Sequence, residues 1–210
     1  MPNICWNTIQ MSGNKEDFKR LYHKTKTEGH EGRFPVDDKT TIVMDIRKAK
    51  MPPEELELIV TGGNTINGKH VNKWWNRNTE TNKIERRDIF DDDYKDSKWI
   101  DEEIPQEHLD DLVDKYGSDN FFDWVSVHWG TKWVTSVSSK TLMENLEVYE
   151  DDDFFVEFEV ESAWGPPGYL LEYISQRYNL TISCDWHEES GEEGYFEIEP
   201  FVKNVKTKEE

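Results

Sequence analysis

Phe121-Phe122-Asp123-Trp124-Val125-Ser126-Val127-His128-Trp129-Gly130-Thr131-Lys132-Trp133 is the densest aromatic run in the chain. Aromatic and β-branched side chains fit a half-buried pleated surface, so the run reads as a β-strand that breaks at Gly130. Trp124, Trp129 and Trp133 can then fill the centre of a sheet-based core. The run contains no nucleophile beside a base and no metal-ligand spacing, so it points to architecture and not to an activity.

Downstream of it, Ser138 to Tyr149 fits one or two helical turns. Phe154 to Ser162 alternates strictly, with Phe154, Val156, Phe158 and Val160 on one side and Phe155, Glu157, Glu159 and Glu161 on the other. Pro166-Pro167 ends the turn that follows. Leu170, Leu171, Ile174 and Tyr178 then mark one stripe of a helix that Asn179 stops in the left-handed conformation. Leu180 to Trp186 alternates again, Glu188 to Glu193 turns around Gly191, and Tyr195 to Glu199 is a last strand. Upstream, Ile4 to Ile9 reads as a first strand, and Asn14 caps a helix with Phe18, Leu21, Tyr22 and Thr25 at helical spacing, with Gly29 as its stop. Thr40 to Met44 is a short strand and Pro52 to Glu57 a short helix. Residues 61–82 are rich in Gly and Asn without a usable period and read as a loop or arm. Pro105 opens a helix carrying Leu109, Leu112, Val113 and Tyr116, closed by Gly117.

This order predicts an α+β fold: a ferredoxin-like split β-α-β sheet with a long insertion between the first helix and the second strand. The expected division is a core from residues 1–29 and 120–202, an insertion or arm with short helices at 30–119, and a flexible tail at 203–210.

The 210 residues suffice to bury a core without covalent staples. Cys5 and Cys184 are too few for a disulfide framework and fit a reducing, cytoplasmic compartment, with Cys5 buried and inert on a central strand. No apolar run is long enough for a membrane span, and Met1-Pro2-Asn3 begins no signal segment. Nine tryptophans against a formal charge of −20 argue for an ordered chain. The charge is unevenly spread: residues 1–87 hold 16 basic and 12 acidic side chains, whereas residues 88–202 hold 6 and 31. The acidity belongs to the second half.

Three short motifs carry a family resemblance. Met1-Pro2-Asn3-Ile4-Cys5-Trp6-Asn7, Trp129-Gly130-Thr131-Lys132-Trp133 and Ala163-Trp164-Gly165-Pro166-Pro167 before a helix together resemble the phage- and plasmid-borne Api-like proteins. That resemblance implies a ferredoxin-like C-terminal domain, a mobile-element origin and a cytoplasmic setting. The family's function is not established, and it supplies no catalytic residue. The spans Asp91-Asp92-Asp93 and Asp151-Asp152-Asp153 go beyond its pattern.

Weighed singly, Trp129, Trp133 and Trp164 read as core residues closing a bend. Asp185 and His187 point the same way along a strand, but a metal site would need further ligands from elsewhere. Lys69, His70, Lys73, Trp74, Trp75, Arg77, Lys83, Arg86 and Arg87 interleave basic and aromatic residues, as nucleic-acid contacts do. A protein this acidic repels phosphate, so the preferred reading folds this arm over the protein's own acidic face, with Trp74, Trp75 and Arg77 as a secondary contact.

The expectation from the residues is a non-catalytic accessory protein with no cofactor, no metal and no direct nucleic acid. It would bind and inhibit or redirect a basic, nucleic-acid-binding host protein through an acidic, nucleic-acid-mimicking surface. The candidate residues are Asp151, Asp152, Asp153, Glu157, Glu159, Glu161, Glu188, Glu189, Glu192, Glu193, Glu197 and Glu199. The alternatives are a nucleotide- or metal-binding enzyme or sensor with a pocket near Trp129, Trp164 and His187, and a phage structural or assembly protein.

Overall fold

The computed structural model describes residues 3–31, 40–57, 103–149 and 153–201, together with seven two-residue strands between residues 59 and 100. Two compact units divide the chain: residues 1–51 with 128–210, and residues 52–127.

The first unit begins with β1 (Ile4–Asn14), in which Cys5, Asn7, Ile9 and Met11 are buried and Trp6, Thr8, Gln10 and Ser12 are partly exposed. Helix α1 (Lys15–Thr25) starts where the Asn14 side chain accepts the Glu16 N–H at 2.9 Å, and it buries Phe18, Leu21 and Thr25. It ends at Thr25, four residues before Gly29, because Lys26–Gly29 is drawn into pairing as β2 with β3 (Thr41–Met44). A 3-10 turn at Ile46–Ala49 follows, capped by Asp45, which also holds Arg47 through both carboxylate oxygens.

In the second unit, α2 (Glu54–Glu57) precedes β4 (Ile59–Val60), β5 (Thr65–Ile66), β6 (Lys69–His70), β7 (Lys73–Trp74), β8 (Arg77–Asn78), β9 (Lys83–Ile84) and β10 (Trp99–Ile100). These pair antiparallel as β4 with β7, β5 with β6, and β8 with both β9 and β10. The stretch read from sequence as a loop therefore holds nested short ladders; strands of two residues are too short to show an alternation. Helix α3 (Gln106–Tyr116) buries Leu109 and Leu112 and ends on Gly117 at φ 75°.

The aromatic run is not a strand. Phe121–Trp129 forms α4, in which Trp124, Val125 and Trp129 are buried while Phe122, Asp123, Ser126 and Val127 face solvent. That is helical spacing. Asn120 Oδ1 accepts the Asp123 N–H at 3.0 Å at one end, and Gly130 takes φ 80° at the other. A cap and a stop outweigh the strand preference of the aromatic side chains, since propensity yields to period and ends.

The first unit, which resumes at His128, continues with β11 (Val137–Ser138), which pairs β3, then α5 (Ser139–Glu144) and β12 (Glu147–Val148). Then come β13 (Asp153–Ala163), α6 (Gly168–Tyr178), β14 (Leu180–Glu188) and β15 (Glu193–Ile198). The main sheet is antiparallel in the order β12-β13-β1-β14-β15. Both β13 and β14 run against β1, hence parallel to each other with α6 crossing between them. This is the split β-α-β arrangement expected from the sequence.

The register sorts the side chains. Ile9 lies opposite Phe158 and Cys184, and Met11 opposite Val156 and Ile182, all buried on one face. Leu170, Leu171 and Ile174 of α6 are buried, and the Phe18 ring of α1 stacks on Phe154 with centroids 4.6 Å apart. At about 1.5–3 kcal/mol for each fully buried large apolar side chain, this face is the main source of the unit's stability. No helix among the described residues is long and apolar enough to cross a membrane.

Candidate functional site

The other face of the main sheet carries the polar halves of the same alternating strands. Cross-strand pairing arranges them in three rows. Glu161, Trp6, His187 and Glu193 form the first; Glu159, Thr8, Asp185 and Tyr195 the second; Glu157, Gln10, Ser183 and Glu197 the third. Six carboxylates thus share one face. Glu157, Glu159, Asp185, His187, Glu193, Tyr195 and Glu197 are exposed, and Trp6, Thr8, Gln10 and Glu161 are partly exposed.

Hydrogen bonds fix the third row. Gln10 Nε2 donates to Glu157 Oε2 at 2.8 Å, Ser183 Oγ donates to Gln10 Oε1 at 3.0 Å, and the Tyr195 hydroxyl donates to Glu197 Oε2 at 2.8 Å. Tyr195 is held above the usual phenol range, first by that bond to a carboxylate, so it stays a neutral donor. In the first row the Trp6 and His187 rings stack with centroids 5.0 Å apart and planes 19° apart. Two shallow clefts cross the face. One, of about 520 Å³, runs from Trp6 and Glu157–Glu161 to Glu31, Thr135, Ser136, Thr141 and Asn145. The other, of about 870 Å³, lies over Gln10, Ser183, Asp185, Glu193 and Tyr195. Among the described residues, neither cleft is lined by a lysine or an arginine.

The charge density is high. Alternate residues on a strand lie roughly 6.6–6.8 Å apart, so Glu157 to Glu161 span about 13 Å; three strand steps separate β13 from β15 by about 14 Å. Over 13 Å of axis a DNA duplex carries about eight phosphates around its whole circumference. Six carboxylates on one side exceed what that length of duplex turns toward a partner.

The sequence-predicted residues divide. Glu157, Glu159, Glu161, Glu193 and Glu197 are brought onto this face. Asp153 opens β13 in the same phase, exposed and opposite Asn14. Glu188 is in the opposite phase; its carboxylate lies beside Gly165 and accepts from Ser190 Oγ at 3.1 Å. Glu189 accepts the Ile4 N–H at 3.1 Å, Glu192 sits in the turn with its carbonyl on the Glu188 N–H, and Glu199 lies past the end of β15. Asp151 and Asp152 lie outside the described residues. So do Trp75 and the side chains of Trp74 and Arg77, whose backbones belong to β7 and β8.

Trp6, Gln10, Asp185, His187 and Tyr195 were not among the predicted contacts. Their signal was the phase of each strand: Trp6, Thr8 and Gln10 alternate with the apolar Cys5, Ile9 and Met11. The two tryptophans of the alternative pocket sit in different environments. Trp129 is buried with Nε1 donating to the Lys50 carbonyl at 2.8 Å, whereas Trp164 is 48% exposed at φ 62° under the Lys132 ammonium, against the expectation of a core residue. The clefts beside His187 are lined by neither tryptophan. Among the described residues no three His, Cys, Asp or Glu side chains are grouped to hold a metal ion.

Residues 143–201 match a family model described as the ferredoxin-like domain in Api92-like protein. A solved structure, protein api92 from Yersinia pseudotuberculosis, aligns over 95% of this chain and 95% of that one with 12% identity and a TM-score of 0.37. Among curated proteins nothing matches. The matched segment begins in α5 and runs through β13, α6, β14 and β15, which together supply all six face carboxylates. The face carboxylates therefore lie in the part of the chain, residues 143–201, that is similar to the ferredoxin-like domain in Api92-like protein.

Proposed function

We propose that this is a non-catalytic, phage-type accessory protein of the host cytoplasm that binds a basic, nucleic-acid-binding host protein through the open face of its sheet and so inhibits or redirects it. The observation that carries the reading is the common face of Glu157, Glu159, Glu161, Asp185, Glu193 and Glu197, two of them fixed by neutral donors and none, among the described residues, facing a lysine or arginine in the clefts between them. A groove built to gain from phosphate neutralisation gains likewise from these carboxylates. Trp6, between Glu161 and His187, adds the aromatic surface that binding hot spots favour. Duplex DNA is itself repelled once it comes within a Debye length, about 8 Å at physiological salt.

The test is capture from a bacterial lysate on the tagged chain and on a Glu157→Gln/Glu159→Gln/Glu161→Gln variant. The reading expects a nucleic-acid-binding protein that elutes as salt rises, is displaced by added duplex DNA and is lost by the variant. Equal retention by the variant, or release that ignores both salt and DNA, would overturn it.

A further inference from the structure

We infer that the outer edge of β15 is a strand-addition site for an extended segment alternating basic and apolar residues, an inference that rests on the basic-partner reading above. β15 pairs β14 on one side and closes the sheet order, with no described strand beyond it. Its six residues present two rows. Glu193, Tyr195 and Glu197 stand exposed on the acidic face, and Gly194, Phe196 and Ile198 turn half-buried toward α6.

Beside that second row lies a cleft of about 460 Å³ between α6 and β15, walled by Tyr169, Phe196, Ile198 and Phe201. Tyr169 is 59% exposed and Phe201 77%. The wall is fixed: Gln176 Nε2 donates to the Glu199 carbonyl at 3.0 Å and its Oε1 accepts the Phe201 N–H at 2.7 Å.

Charge selects the occupant. A strand added to β15 alternates its side chains between the two faces. One set meets Glu193 and Glu197, the other enters the apolar cleft, so the fitting sequence has lysine or arginine at every second position and apolar residues between. A second copy is disfavoured. With both acidic faces on the same side, antiparallel pairing centred on Tyr195 sets Glu193 against Glu197 twice, and like charges directly opposite destabilise a ladder. Main-chain hydrogen bonds would supply affinity, and the alternation specificity.

The probe is a fluorescein-labelled nine-residue peptide of alternating lysine and valine, titrated with the full chain at 150 mM salt and read by anisotropy. Two comparison peptides keep its length and side chains: one N-methylated at every residue, and one with its lysines in a block. The alternating peptide is expected to bind at least tenfold more tightly than both, to lose at least tenfold against a Glu193→Lys/Glu197→Lys variant, and to shift the β15 amide resonances. Binding of the N-methylated or block peptide within twofold of the alternating one, or no binding of the alternating one, would overturn the edge. Those outcomes leave the acidic face standing, because its failure is read separately, as lysate capture unchanged by the Glu157, Glu159 and Glu161 variant.

Discussion

Asn7 is the polar residue around which the buried face of the sheet is built. Its Nδ2 donates to the Cys5 carbonyl at 3.0 Å, the Val160 carbonyl at 3.1 Å and Ser162 Oγ at 2.9 Å, and its Oδ1 faces both cysteine thiols. Removing the amide strands buried partners, so Asn7→Leu is expected to lower stability by about 2–3 kcal/mol in urea unfolding. Burial, the largest cause for each, pushes the Cys5 thiol up to about 11 and the Cys184 thiol to about 12. An unfolded thiol ionises near 9.0, so above that pH the unfolded chain sheds protons that the fold keeps. Stability contributed by the neutral thiols is complete below pH 9 and falls from there toward 11 to 12. The urea midpoint should drop over pH 9–10.5 in the native chain and drop less in a Cys5→Ala/Cys184→Ala variant; equal slopes would contradict the assignment. At this scale the sequence was legible where a residue's strand phase decided its environment, as for Cys5 and Glu157. It was misleading for Trp164, whose left-handed backbone turns the ring outward at a corner that no alternation describes.

Among the elements, α4 shows which signals prevail. Asn120 and Gly130 bracket nine residues whose buried members, Trp124, Val125 and Trp129, share one helical face, and that pattern was present in the sequence. Reading composition before period turned a helix into a strand. The fold class survived because it depends on β1, β13, α6 and β14, where alternation and helical stripes agree with their ends; Asn14 and Asn179 cap α1 and α6 as expected, Asn179 at φ 56°. The short ladders from β4 to β10 left no trace, since two residues carry no period. The β14–β15 pairing rests on a glycine: a Cβ on Gly194 would lie 2.9 Å from the Trp186 indole, which covers it. Gly194→Ala should therefore cost about 1–3 kcal/mol through displacement of that ring, seen as a lower urea midpoint with a shift in tryptophan emission. An unchanged midpoint would mean that the indole moves freely.

For the whole molecule, the formal charge of −20 is organised rather than merely spread. Which acidic segments share a face could not be read from linear sequence, because it depends on β15 pairing β14 in phase with β13 across β1. Crowding six carboxylates on one face repels them from each other, and salt screens this over a Debye length that shrinks from about 30 Å at 0.01 M to about 3 Å at 1 M. The Glu157→Gln/Glu159→Gln/Glu161→Gln variant should therefore have a higher urea midpoint than the native chain at low salt, with the difference closing as salt is raised. A variant that weakens binding while gaining stability separates a functional face from a structural one. The most direct test of that face is carboxyl footprinting by carbodiimide and glycine ethyl ester, read by mass spectrometry with and without the captured partner. Protection of Glu157, Glu159, Glu161, Glu193 and Glu197, with the exposed Asp110, Asp111 and Asp114 of α3 labelled equally in both states, is the predicted result. Undiminished labelling of the sheet face, or protection confined to α3, would contradict it.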